Sequence, residues 1–83
     1  KMLDLNISNF YPNPAKEFAN VNYYLNSKSE MVIMDILGNK VKNIHFTEKG
    51  IQSINISDLS KGLYFGNLIS NNEIIAIKKL IIK

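Results

Sequence analysis

The sequence predicts an all-β domain, an antiparallel sandwich or barrel of about seven strands, and three observations carry that expectation. Short runs rich in Ile, Val, Tyr and Phe recur roughly every 8–12 residues. Clusters of Gly, Asn, Ser and Pro separate them, as turns do. No stretch sustains the period of an amphipathic helix. With 83 residues and 46% apolar side chains, residues 1–83 are sized for a single domain around one core.

Each element follows from local chemistry. Met2 to Ser8 alternates Leu3, Leu5 and Ile7 with Asp4, Asn6 and Ser8, the period of a strand. Residues 1–10 therefore read as a first strand or the remnant of a linker. In Phe10-Tyr11-Pro12-Asn13-Pro14 both prolines bias the preceding residue towards extended geometry, and neither can donate to a ladder. This is a rigid extended corner. Along Phe18 to Leu25, Val21, Tyr23 and Leu25 share one face, and Asn20, Asn22 and Tyr24 the other. After a turn at residues 26–29, Met31 to Ile36 is apolar on both faces, the pattern of a central strand covered on both sides.

Asp35-Ile36-Leu37-Gly38-Asn39 has the composition of a hairpin turn, with a carboxylate to bond nearby amides and Gly38 to supply a positive φ. Lys40 to Thr47 is the return strand. Gly50 reads as closing the next turn, after which Gln52, Ile54 and Ile56 alternate inward. Leu59 is expected to plug one end of the core from a crossover too short for more than one helical turn. Gly62 opens a strand over Leu63 to Leu68, in which the small Gly66 suits the close approach of a neighbouring backbone or ring. Asn71-Asn72 turns the chain into a last strand, Glu73 to Lys83, whose β-branched Ile residues argue against a helix.

Composition narrows the chemistry. The formal charge of +3 comes from ten Lys and no Arg against seven acids. Without the bidentate guanidinium fork that grips phosphate and guanine, nucleic acid is a poor partner. Absence of Cys excludes disulfides, thiolate metal sites and a Cys nucleophile, and one His cannot build a His-based zinc site. His45 reads as a solvent-facing strand residue. The carboxylates sit at predicted turns and strand ends with no cleft to bring two together, and the glycines form no phosphate loop. No catalytic residue, metal ligand or cofactor is expected. No apolar run exceeds four residues, too short for a membrane-spanning helix, and residues 1–20 lack a signal-peptide pattern. Starting at Lys1, the chain reads as a piece of a longer protein.

An ordered set of motifs rises above this background. It runs from Tyr11-Pro12-Asn13-Pro14 through Val21-Asn22-Tyr23-Tyr24-Leu25 to Met34-Asp35-Ile36-Leu37-Gly38-Asn39-Lys40-Val41. Then come Gly50 with Ile54-Asn55-Ile56, Leu59-Ser60-Lys61-Gly62-Leu63-Tyr64-Phe65, and Lys78-Lys79-Leu80-Ile81-Ile82-Lys83. The series resembles the type A C-terminal sorting domain of the type IX (Por) secretion system of Bacteroidota, over residues 11–83. Met34 departs from a frequent aromatic of that family and Gly66 from a frequent β-branched residue.

The resemblance implies an immunoglobulin-like antiparallel sandwich of about seven strands, serving as a secretion and sorting signal for an N-terminal cargo domain of the same chain. It implies as partners the translocon with its outer-membrane shuttle protein, and a sortase-like peptidase that removes such domains after export. The destination would be the cell surface or the medium, reached through the periplasm. Pro12, Asn13, Pro14, Asp35, Gly38, Gly62 and Tyr64 match the family's motif positions, where turn geometry and packing are their expected roles. The terminal Lys78, Lys79, Leu80, Ile81, Ile82 and Lys83 are the candidate recognition segment, since an extended final strand offers backbone partners. Free strand edges also offer a route to a homo-oligomer. The alternative reading is a carbohydrate-binding or adhesive sandwich accessory to a secreted enzyme, gripping glycan through Tyr11 and Tyr24.

Overall fold

Two antiparallel sheets, with no helix among the described residues, enclose a core in which Ile and Leu are the commonest residues, joined by Phe and Tyr rings. The computed structural model describes residues 6–25, 27–47 and 49–83. The strands are β1 (Asn6–Ile7), β2 (Phe18–Tyr24), β3 (Ser29–Asp35), β4 (Lys40–Phe46), β5 (Lys49–Asn55), β6 (Gly62–Ser70) and β7 (Glu73–Ile82). Six are seven to ten residues long, while β1 contributes only two. Most of the expected first strand, and the turn position 26, lie outside the described residues.

One sheet has the order β1-β2-β5 and the other β4-β3-β6-β7. The chain changes sheets at the β2–β3, β4–β5 and β5–β6 connections, whereas β3–β4 and β6–β7 are hairpins within the second sheet. Constant-type immunoglobulin sandwiches place the fourth strand with the first sheet. Here β4 instead forms a hairpin with β3 and stays in the second. The expected all-β sandwich is the architecture found.

Alternation decides what is inside. On β2 the buried residues are Ala19, Val21 and Tyr23, and on β6 they include Tyr64, Gly66 and Leu68. Tyr23 and Phe46 stack across the two sheets with ring centroids 4.4 Å apart. Leu59 packs against the core from the β5–β6 crossover, as a plug would.

Two expectations need correction. Gly50 does not close a turn: it lies within β5, opposite Tyr23 of β2, because the ladder already begins at Lys49. β3 is central in its sheet, yet no second layer of described residues covers its outer side. Val32 is 2% exposed there because Asn43 on β4 and Asn67 on β6 stand directly beside it.

At Gly66 the core leaves no room for a side chain. A Cβ at this position would lie 2.7 Å from Met31 Sδ and 2.9 Å from Phe10 Cζ, inside van der Waals contact. The Phe10 ring, itself buried, occupies the space that a β-branched residue would take. Met34 sits on the outer side of β3 and leaves the core unchanged. Gly66→Ala should therefore destabilise the domain by about 1–3 kcal/mol through overpacking. Urea unfolding measures this, and a neutral result would mean that the Phe10 ring moves freely.

Candidate functional site

The residues singled out between positions 12 and 64 gather where β7 ends. Register places Asp35, Tyr64 and Leu80 in one row across β3, β6 and β7, and Gly62 opposite Ile82. Pro12, Asn13 and Pro14 reach the same end from the other sheet.

They arrive there because the N-terminal segment changes sheets. Tyr11 pairs with Asn20 of β2 through two backbone bonds of 2.9 and 2.8 Å, and its hydroxyl donates to Asn22 Oδ1. Four residues later, Ala15 pairs with the outer edge of β7 in parallel fashion. Its N–H donates to the Ile81 carbonyl (2.8 Å), and its own carbonyl accepts the Lys83 N–H (2.8 Å). The two proline peptide bonds within the crossing are cis.

Between the prolines, Asn13 acts as a substitute piece of strand. Its side-chain amide donates to the Lys79 carbonyl (3.1 Å), and its Oδ1 accepts the Ile81 N–H (2.9 Å). Proline cannot donate to a ladder, so here the asparagine side chain supplies both a donor and an acceptor. An open groove of about 550 Å³ lies alongside, lined by Pro12, Pro14, Lys16, Phe18 and Lys83 among others.

Tyr64, at the start of β6, donates its hydroxyl to the Ser60 carbonyl at 2.7 Å while its ring is buried. This is the tyrosine corner of immunoglobulin-like sandwiches, which pins the crossover to the strand it feeds. Gly62, between Ser60 and Tyr64, opens β6 at φ 150°.

At the β3–β4 hairpin the Asp35 carboxylate accepts the N–H groups of Leu37 and Asn39, both at 2.9 Å, and Gly38 turns the chain at φ 85°. These bonds, led by the Asn39 N–H, hold the Asp35 carboxyl below its ordinary value of 3.8 despite some opposing desolvation. Asp58 is lowered too, by the Lys42 ammonium 3.1 Å from its oxygen.

The terminal segment divides by alternation. Leu80 and Ile82 are buried in the core, whereas Lys79, Ile81 and Lys83 point outward and Lys78 is half-buried. Ala15, which bonds β7, and Phe10, which packs over Gly66, carry no sequence signal beyond being apolar near prolines. The exposed Ile36 and Leu37 had one: apolar residues at the tip of a turn, where polar residues are the norm.

Among the described residues, no group of three His, Cys, Asp or Glu could hold a metal ion. Tyr11 and Tyr24 are both exposed, but Tyr11 spends its hydroxyl on Asn22. A family model described as a secretion system C-terminal sorting domain matches residues 9–83. No match to the chain is found among curated proteins.

Two outcomes are expected from this geometry. Asn13→Ala should cost about 1–2 kcal/mol, from two lost hydrogen bonds. It should also accelerate hydrogen exchange at the Ile81 amide selectively; unchanged exchange there would refute the bond. The second concerns pH. The folded state binds the Asp35 proton less readily than the unfolded chain, so its contribution is complete above about pH 5. It fades as pH falls through 3.8 and is gone below the depressed folded value. Urea unfolding of the parent and Asp35→Asn near pH 5.5 and near pH 3 should show the gap between them narrowing at the lower pH.

Proposed function

Because the chain belongs to the family of C-terminal sorting domains of the type IX secretion system, we propose that the end of β7 and the segment clipped to it form the part that the export machinery reads. The domain is a sorting signal, and its destination lies across the outer membrane, at the cell surface or outside the cell. The family is not an enzymatic one. In our reading residues 1–83 form one such unit, attached to an N-terminal cargo domain. The translocon and its shuttle protein bind the unit, a sortase-like peptidase then separates it from the cargo, and it performs no catalysis of its own.

The observation that carries this reading is the convergence of the family's motif positions on one end of the sandwich. Pro12, Asn13 and Pro14 support recognition indirectly, by fixing the outer edge of β7. Asp35, Gly38, Gly62 and Tyr64 shape the turns beside it. Direct contact falls to Lys79, Ile81 and Lys83, because Leu80 and Ile82 face the core. Asn13 and Ala15 already bond the outward backbone of Lys79 and Ile81. Strand addition by a partner is thus limited to the earlier part of β7, and the side chains carry recognition near its end.

A reporter with a signal peptide, fused ahead of residues 1–83, should leave a type IX-competent cell. Removing Glu73–Lys83 should trap it in the periplasm. Since that deletion also opens the core, Lys79→Glu with Lys83→Glu is the companion variant: it should fold normally and export poorly. Export of both at the parent's level would sink the proposal.

A further inference from the structure

The outer side of the β4-β3-β6-β7 sheet is built differently from that of its partner sheet. Following the register outward gives the row Lys40–Met34–Phe65–Lys79, an apolar pair with a lysine at each end. In the next row Ile77 is 58% exposed beside Asn67. At the hairpin tip Ile36 and Leu37 are 69% and 81% exposed, and the Asp35 carboxylate holds that tip rigid. Met34, Ile36, Phe65 and Ile77 border a hollow of about 390 Å³ between the tip and the sheet. On the opposite sheet the exposed Phe18, Tyr24 and Ile51 are separated by Asn20, Asn22, Ser53 and Asn55, so no comparable apolar strip forms among the described residues.

Charge says what fits. The single ion pair among the described residues is Lys42–Asp58, so neither Lys40 nor Lys79 pairs with a described carboxylate. Asp35, the one carboxylate lining the hollow, is turned into its own hairpin, where it accepts the Leu37 and Asn39 N–H groups, and Glu30, further along the sheet, accepts the Asn43 amide at 2.7 Å. Lys40 and Lys79 stand three strand spacings apart, about 14 Å. Their complement is an apolar ridge flanked by carboxylates at that separation. A second copy of the chain is disfavoured, since either alignment of two such rows sets lysine against lysine. A flat lipid surface would leave the hollow unfilled.

We infer that this face docks the domain on the export receptor, a protein presenting an acid-flanked apolar ridge; the inference rests on the sorting reading. The test uses the same reporter fusion, carrying Ile77→Asp, Leu37→Asp or Lys40→Glu, with Ile51→Asp on the other sheet as control. All four positions are exposed, and circular dichroism with thermal melting checks that each variant folds. Parent and control should be exported, while Ile77→Asp and Leu37→Asp should cut export about tenfold or more, as an unpaired charge in a docked apolar contact does. Lys40→Glu should also reduce it.

Full export of folded Ile77→Asp and Leu37→Asp alongside an exported parent overturns this inference and leaves the sorting reading standing. Retention of the parent itself overturns the sorting reading. Two further results would replace the receptor with another occupant and so refute the proposal. One is a parent dimer in sedimentation that Ile77→Asp dissociates. The other is flotation of the parent, but not Ile77→Asp, with phosphatidylglycerol vesicles.

Discussion

Four hydrogen bonds from Asn13 and Ala15 to the outer edge of β7 join the two ends of the chain, and much of the molecule's shape depends on them. A sandwich of three and four strands has open edges, and its last strand would otherwise end with unpaired backbone groups. The crossing segment covers that edge near its end. Having left the first sheet at Tyr11, it also ties the two sheets together on the β1/β7 side. Asparagine between two prolines suits this task, because the prolines forgo backbone donation and the amide side chain restores a donor and an acceptor.

The clip has a consequence for recognition. Strand addition is an economical way to bind an extended edge, but here much of the outward backbone near the end of β7 is already used. What remains is side chain: a lysine-bearing, partly apolar rim. A label carried by many cargoes needs stability of its own and a surface that differs from ordinary solvent-facing sheet. The two outer faces meet that need unequally. One intersperses aromatics with amides, while the other concentrates apolar side chains between lysines beside a stiff hairpin tip.

Local chemistry made much of this legible in advance. The Asp35–Asn39 turn follows from a carboxylate placed before a glycine, and its bonds to the Leu37 and Asn39 amides are the expected ones. The Asn71-Asn72 turn has φ of 53° and 65°, conformations that asparagine tolerates better than most residues. Gly66 was readable as a point of close approach, although not which ring approaches, because Phe10 is 56 positions away in the chain. Gly50 misled for a related reason: a glycine in sequence marks freedom, and only the neighbouring strand shows whether a turn or a ladder uses it.

The sequence by itself determined most of the strands from β2 onward, the inward faces of β2 and β5, the Asp35–Asn39 and Asn71-Asn72 turns and, through the order of its motifs, the family. These depend on alternation and on contacts between near neighbours, which a linear reading preserves. Tertiary structure alone decided that β4 stays with β3, that the Pro12–Pro14 corner grips β7, and that Leu80 and Ile82 belong to the core while Lys79 and Ile81 do not. Each of those is a choice between edges and faces of similar composition. Such choices are settled by long-range register and packing, where one residue's shift would exchange the buried face for the exposed one.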